Sequence, residues 1–466
     1  MNRRASAVLL GVTVAAFALA GGLGARLVSE RSASAPAGGE PLDSAPPPVV
    51  FTTIVLGGFR GVLADILWLR ASRLQDQGRY FELVQLAEWI TALEPRHTEV
   101  WAFHAWNMAY NASVMMPDPE DRWRWVQNGI DLLRRDGLRY NPGDPLLYRE
   151  LGWLFQNKIG AVNDRDNRFY RMRLAREMDA LFAGARPDFD ALSSNPDRLR
   201  AMRALQLAPG IMRAVDARYG PLDWRLPETH AVYWAARGLS HAGHADGLMC
   251  ERMIYQSLAA LFLQGRLLFA PERDVYLTGP ELDLFPRIMG ALDEARERHG
   301  ETIDAACRGF LNEAVLLLHL FGRDGQARAA FARLRELYPS DATAGGYERC
   351  VETLLASASA MDGPAPLVSA VAQGWCYRAR LLQAGGRADE AADELRRAGE
   401  KWNAYLAGMP PERRARLRLP TYEELQQLAD DRARRELAPA QSPPPREDGV
   451  PPPPAAGNPT PEEPAP

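Results

Sequence analysis

The chain has 466 residues and a formal net charge of −4, so it exceeds one compact domain and lacks the basic excess of a nucleic-acid binder. Ala, Leu, Arg and Glu dominate, and β-branched runs are scarce outside Val49 to Val55, which favours an all-α fold. Local basic stretches, Arg165 to Arg176 and Arg413 to Arg418, read as solvated helix faces.

Arg3 and Arg4 precede 21 uncharged residues, Ala5 to Ala25. That length crosses a bilayer as a helix, and the flanking charge predicts a cytoplasmic amino terminus with the body exported to the periplasmic side. The competing reading is a cleavable signal ending at Ala18-Leu19-Ala20, which would release a secreted protein. Residues 1 to 30 are therefore a membrane anchor or signal, and the Pro- and Ser-rich residues 31 to 50 a linker. The apolar stretch that follows carries Arg60 and Asp65, which argue against a second span and for a first helix buried under the repeats.

Residues 51 to 183 read as helical repeats. Gly78 and Pro95 lie 17 positions apart, as do Gly322 and Pro339, and each pair brackets an apolar helical pattern with the small-residue and aromatic spacing of the 34-residue tetratricopeptide unit. The pattern propagates: Trp101 stands six residues after Pro95, and Tyr148 six after Pro142. Units are expected at roughly 64 to 97, 98 to 144, 145 to 180, 308 to 341 and 372 to 405, stacked as a right-handed α-solenoid. Residues 184 to 228 break the phase with five prolines and read as a connector with one or two helices. Residues 229 to 435 return to helical patterning with two of the units, and 436 to 466 form a Pro-rich tail expected to be disordered.

The four cysteines, Cys250, Cys307, Cys350 and Cys376, stand in no C-x-x-C pair and read as small core residues, with a disulfide as the alternative in an oxidising compartment. In H-A-G-H-A-D-G-L-M-C the glycines point to a helix-helix turn rather than to a metal site. Asp118, Glu120 and Asp121 precede an aromatic helix and read as its amino-terminal caps rather than as acid-base catalysts. G-x-S-x-G, Walker, dinucleotide and H-E-x-x-H patterns are missing, so no catalytic residue, metal ligand or cofactor is expected and the chain does not read as an enzyme.

The runs G-G-F-R-G-V-L-A-D-I-L-W-L-R-A, Q-G-R-Y-F-E-L-V-Q-L-A-E-W-I-T-A-L-E-P-R, P-D-P-E-D-R-W-R-W-V and L-R-Y-N-P, with the later Y-G-P-L-D-W-R-L-P-E-T-H-A-V-Y-W-A, resemble a group of uncharacterised bacterial membrane-anchored tetratricopeptide-repeat-like proteins. The resemblance spans about 57 to 160 and 219 to 238. It implies a helical-repeat fold and a membrane-attached or exported body, and carries over no reaction or ligand.

The expected function is a membrane-tethered scaffold that binds a protein or peptide partner outside the cytoplasm. A structural subunit of an envelope complex, or a metal- or carboxylate-dependent envelope enzyme, are the alternatives. In the repeat phase, Asp65, Trp68, Ser72 and Gln75, then Glu99, Ala102, Trp106 and Ala109, then Leu146, Arg149, Trp153 and Gln156 face the concave side. Trp68, Trp106, Arg149, Trp153 and Gln156 are the candidate groove, a composition enriched at binding hot spots.

Overall fold

A computed structural model describes residues 59 to 437, except 162, 163, 362 and 418. The expected anchor, the linker and the tail from residue 438 lie outside the described residues. Among those described the chain is mostly helical, and no helix is long and apolar enough to cross a membrane.

Antiparallel hairpins follow one another along the chain. Phe59–Asp76 packs on Tyr80–Leu93, Asp304–Leu320 on Asp324–Leu337, and Ala365–Ala384 on Ala388–Gly408. These three share one turn chemistry. Gly78, Gly322 and Gly386 take φ of 68°, 69° and 76°, a left-handed conformation that glycine adopts without steric cost. Each glycine N–H donates to the carbonyl three residues back, and the following arginine N–H donates to the carbonyl five residues back, at 2.8–2.9 Å. That pair of bonds satisfies the last carbonyls of the first helix and turns the chain into the second. In two of the three, the same arginine then grips a glutamate one turn on, Arg79 with Glu82 and Arg387 with Glu390.

A second device closes the joints between hairpins. The Trp101 indole donates to the Pro95 carbonyl at 2.9 Å, and the Tyr148 hydroxyl to the Pro142 carbonyl at 2.7 Å. The six-residue spacing in the sequence is thus a hydrogen bond that pins each incoming helix to the loop before it. The Asp-Pro dipeptides 118–119 and 144–145 start helices for a related reason: the aspartate accepts from the second backbone N–H and the proline occupies a position whose own N–H would be orphaned.

The second and third helical pairs are longer and contain π-helical stretches. Thr98–Trp106 runs on through π-helical Asn107–Ala112 to Ser113–Met115; Pro119–Asp131 runs on through Leu132–Gly137 to Leu138–Tyr140; Pro145–Trp153 runs on through Leu154–Gly160. The third unit departs from the sequence expectation. Its helix 145–160 packs along Pro227–Leu239 rather than along the following Asn167–Phe182. Gly152 allows that approach, since a Cβ there would sit 3.3 Å from the Ala231 carbonyl and 2.3 Å from Met253 Sδ. Residues 161 to 226 are therefore an insertion inside one helical pair. It contains Asn167–Phe182, Phe189–Ser194, Pro196–Ala204 and Pro209–Tyr219; the last three lie in the expected connector, one helix more than it was expected to hold.

Buried charge seats the insertion. Arg171 binds Glu228 and the Gly160 carbonyl, and Lys158 meets Asp164 at 2.6 Å, with Arg122 3.3 Å from Asp166. Burial pulls the Lys158 ammonium below its usual range, with Asp164 working against it. Arg171 stays charged despite burial because Glu228 lies against it.

Two further expectations change. Residues 229 to 300 contain an antiparallel pair, β1 (Arg266–Ala270) and β2 (Val275–Gly279), with Leu268 opposite Leu277. The pair is tied to the neighbouring helices by Gln373 on the Thr278 carbonyl and Arg432 on the Pro280 carbonyl. The first helix is buried on one side only: Ala64, Ala71 and Leu74 are covered, whereas Val62, Ile66 and Leu69 are 55%, 57% and 66% exposed. At the other end, the last helix, Tyr422–Glu436, is held by Glu436 through Tyr377, Arg266 and Arg432, so residue 436 belongs to the fold rather than to the tail. The four cysteines are buried in the core, with no disulfide between them.

Candidate functional site: an aromatic pair on two successive helices

Trp106 and Trp153 occupy equivalent places. Each is the last α-helical residue before a π-helical stretch, in the helix that opens its hairpin. Each is followed four positions later by a polar residue, Tyr110 and Asn157, and the Tyr110 hydroxyl donates to Asn157 Oδ1 at 3.0 Å across the two helices. The Trp106 ring stacks on Tyr110, with centroids 5.3 Å apart. Lys158 sits 5.2 Å over the same phenol ring. Burial, then the nearby Glu150 charge, push the Tyr110 phenol above its ordinary range, so it remains a neutral donor. Both tryptophans nevertheless keep much of their surface open, 37% and 39%.

The other expected groove residues divide around this pair. Arg149 lies half-buried one turn before Trp153, and its guanidinium is bound to Glu150 at 2.6 Å. Gln156 donates to Ser257 Oγ at 2.8 Å, which ties helix 145–160 to His244–Gln264. Trp68 is not part of the pair. It is half-buried on Phe103, 4.8 Å between centroids, beside a small separate core of Ala71, Leu74, Leu83, Leu86, Ile90 and Val100. Ala109, expected on the groove face, is fully buried. The π-helical stretch that begins after Trp106 explains this: a widened turn rotates every residue beyond it relative to a regular 3.6-residue phase.

Tyr110 and Asn157 were missed in the sequence reading, although their i+4 spacing from the two tryptophans was visible. The acidic run near 118 separates into distinct pairings, with Asp118 capping Glu120 N, Glu120 bound to Arg173, and Asp121 to Arg124. It forms no shared carboxylate site. In H-A-G-H the chain turns between helices as expected, with Gly243 at the start of His244–Gln264. Among the described residues no cluster of His, Cys, Asp and Glu could hold a metal ion.

The architecture defines a mostly helical protein of successive hairpins with a partly exposed tryptophan on each of two of them. No protein-family model matches the chain, and no curated protein matches it.

Proposed function

We propose that the chain is a membrane-tethered, tetratricopeptide-like right-handed α-solenoid that holds an extended segment of a protein partner outside the cytoplasm, with the uncharged run Ala5–Ala25 as its anchor. The recurring glycine-arginine turns and the proline-carbonyl ties support the repeat reading, because each is one local solution used again along the chain. The observation that carries the binding role is the matched pair Trp106 and Trp153, set at equivalent positions of neighbouring helices that the Tyr110–Asn157 hydrogen bond ties together, and still open to solvent. Rigid aromatic side chains lose little entropy on contact and dominate interface energetics. Arg149 adds a cation at the edge of the same surface.

The test is capture of the partner from membranes by the full chain. Trp106→Ala with Trp153→Ala is expected to weaken capture by about 1 kcal/mol or more while leaving helicity unchanged; retained capture by the folded variant moves the site elsewhere. The structural-subunit reading has one observation of its own, since Phe81 and Trp89 are 47% and 55% exposed on Tyr80–Leu93 and Phe81 contacts Trp125. On that reading Trp89→Ala, and not the groove variant, disrupts association.

A further inference from the structure

Two indoles one helix spacing apart suit one kind of ligand. The helices that carry Trp106 and Trp153 are tied side by side by the Tyr110–Asn157 hydrogen bond at 3.0 Å, and packed helices lie about 8 to 10 Å apart. Residues at equivalent places on them are offset by a similar distance. Both tryptophans are open over more than a third of their surface, and the Trp106 ring is backed by Tyr110. A polyproline II segment rises about 9 Å in each three-residue turn, so its first and fourth residues present one face at that interval. Aromatic-lined surfaces take such segments because their backbone loses little freedom on docking.

The chain carries that ligand itself. Beyond Leu437 stand two uninterrupted runs, Pro443 to Pro445 and Pro451 to Pro454. Only the second has prolines at its first and fourth places. Pro461 and Pro464 repeat the interval but bracket Glu462 and Glu463, which would meet the Glu150 charge beside Tyr110.

The second run is also within reach. Gln156, one turn beyond Trp153, donates to Ser257 in His244–Gln264, and Arg266, just past that helix, pairs with Glu436 at 3.1 Å. Along this path Trp153 and Glu436 are separated by at most roughly 45 Å. The chain from Glu436 to Pro451 spans up to about 50 Å. Tethering at that length gives the prolines a local concentration on the order of millimolar at the tryptophans, so even a weak contact is populated.

We propose that the Trp106 and Trp153 face docks the chain's own proline-rich tail, with Pro451 on one tryptophan and Pro454 on the other, as an autoinhibitory contact that a partner must displace. This rests on the reading that the pair receives an extended segment, and names the segment that holds the site when no partner is bound.

The test places a photoreactive residue at Ala455 of the purified full-length chain and maps its adducts by mass spectrometry. The expected adduct is intramolecular, falls on the helices of residues 98 to 115 or 145 to 160, and keeps its yield on dilution. Trp106→Ala with Trp153→Ala should lower that yield by about fivefold or more, with helicity unchanged. Pro451→Ala with Pro454→Ala should do the same, and it leaves every residue of the described helices as it is. The proline variant should also raise capture of the partner from membranes by about threefold or more, because the competing segment is gone. No adduct, an adduct on other helices, a yield that falls on dilution as a second copy's tail would give, a yield indifferent to the prolines, or capture that the proline variant leaves unchanged would each overturn the proposal. If capture depends on the two tryptophans while the tail gives no adduct, the binding role of the pair stands and the tail contact alone falls.

Discussion

Replacing Gly238 and Gly152 by alanine, one at a time, separates two kinds of close helix contact. At Gly152 the new Cβ would stand 2.3 Å from Met253 Sδ, but that atom is near the end of a flexible side chain and the nearest backbone atom, the Ala231 carbonyl oxygen, is 3.3 Å away. At Gly238 the new Cβ would stand 2.9 Å from Tyr148 Cβ and 3.0 Å from Cys250 Sγ. The Tyr148 atom is fixed to its backbone, and its ring is pinned by the hydroxyl bond to Pro142, so neither can step aside. Alanine gains about 1 kcal/mol over glycine inside a helix, and overpacking a dense contact costs about 1 to 3 kcal/mol. Gly152→Ala should therefore lie within about 0.5 kcal/mol of the parent, because the methionine absorbs the strain. Gly238→Ala should lose up to about 2 kcal/mol, and Gly152→Leu, which adds three further carbons between Met253 and the Ala231 carbonyl, about 1 to 3 kcal/mol. Denaturant titration followed by far-ultraviolet circular dichroism measures all three. The reasoning is refuted if Gly152→Ala proves the more damaging alanine variant, or if Gly152→Leu leaves the midpoint unmoved.

Acid should weaken the fold through two buried imidazoles. Burial pulls His104 and His230 down to about 4; the unfolded chain binds their protons from 6.5 downward, so stability present above 6.5 is lost as pH falls through that window. Each should cost about 2 kcal/mol by about pH 5, and His104→Leu, which removes a ring with no hydrogen-bond partner, should flatten the acid limb of denaturation midpoints. An unchanged limb would show that His104 is not the group titrating. Glu228→Gln should leave Arg171 buried without its counter-charge and cost about 3 kcal/mol, read as faster limited proteolysis between residues 183 and 209; a variant as resistant as the parent would mean that this pair does not seat the insertion.

Much of the hairpin layout was legible because it rests on local chemistry. Gly78 and Gly322 mark turns that require a positive φ, and the six-residue steps to Trp101 and Tyr148 mark a bond within one loop and helix. Asp118 and the cysteines were legible for the same reason. What could not be read depends on distant pairing. That 145–160 chooses Pro227–Leu239 over Asn167–Phe182 is decided by Gly152 meeting Ala231 and by Arg171 meeting Glu228, across an insertion that sequence distance conceals. The strands β1 and β2 are five residues each and lie between helical patterns, so periodicity had too little length to distinguish them. In the candidate groove, Trp106 and Trp153 were placed by the helical phase, whereas Ala109 was misplaced because the π-helical turn after Trp106 shifts that phase.

The central claim is that the Trp106 and Trp153 surface receives the partner. Site-specific photocrosslinking in native membranes tests it most directly, with the reactive residue placed at Ala102 on the groove side and, in a separate chain, at Trp89 on Tyr80–Leu93. The account predicts a discrete adduct from Ala102 that disappears in the Trp106→Ala, Trp153→Ala background. An adduct from Trp89 alone, or one from Ala102 that persists without the two tryptophans, would contradict it.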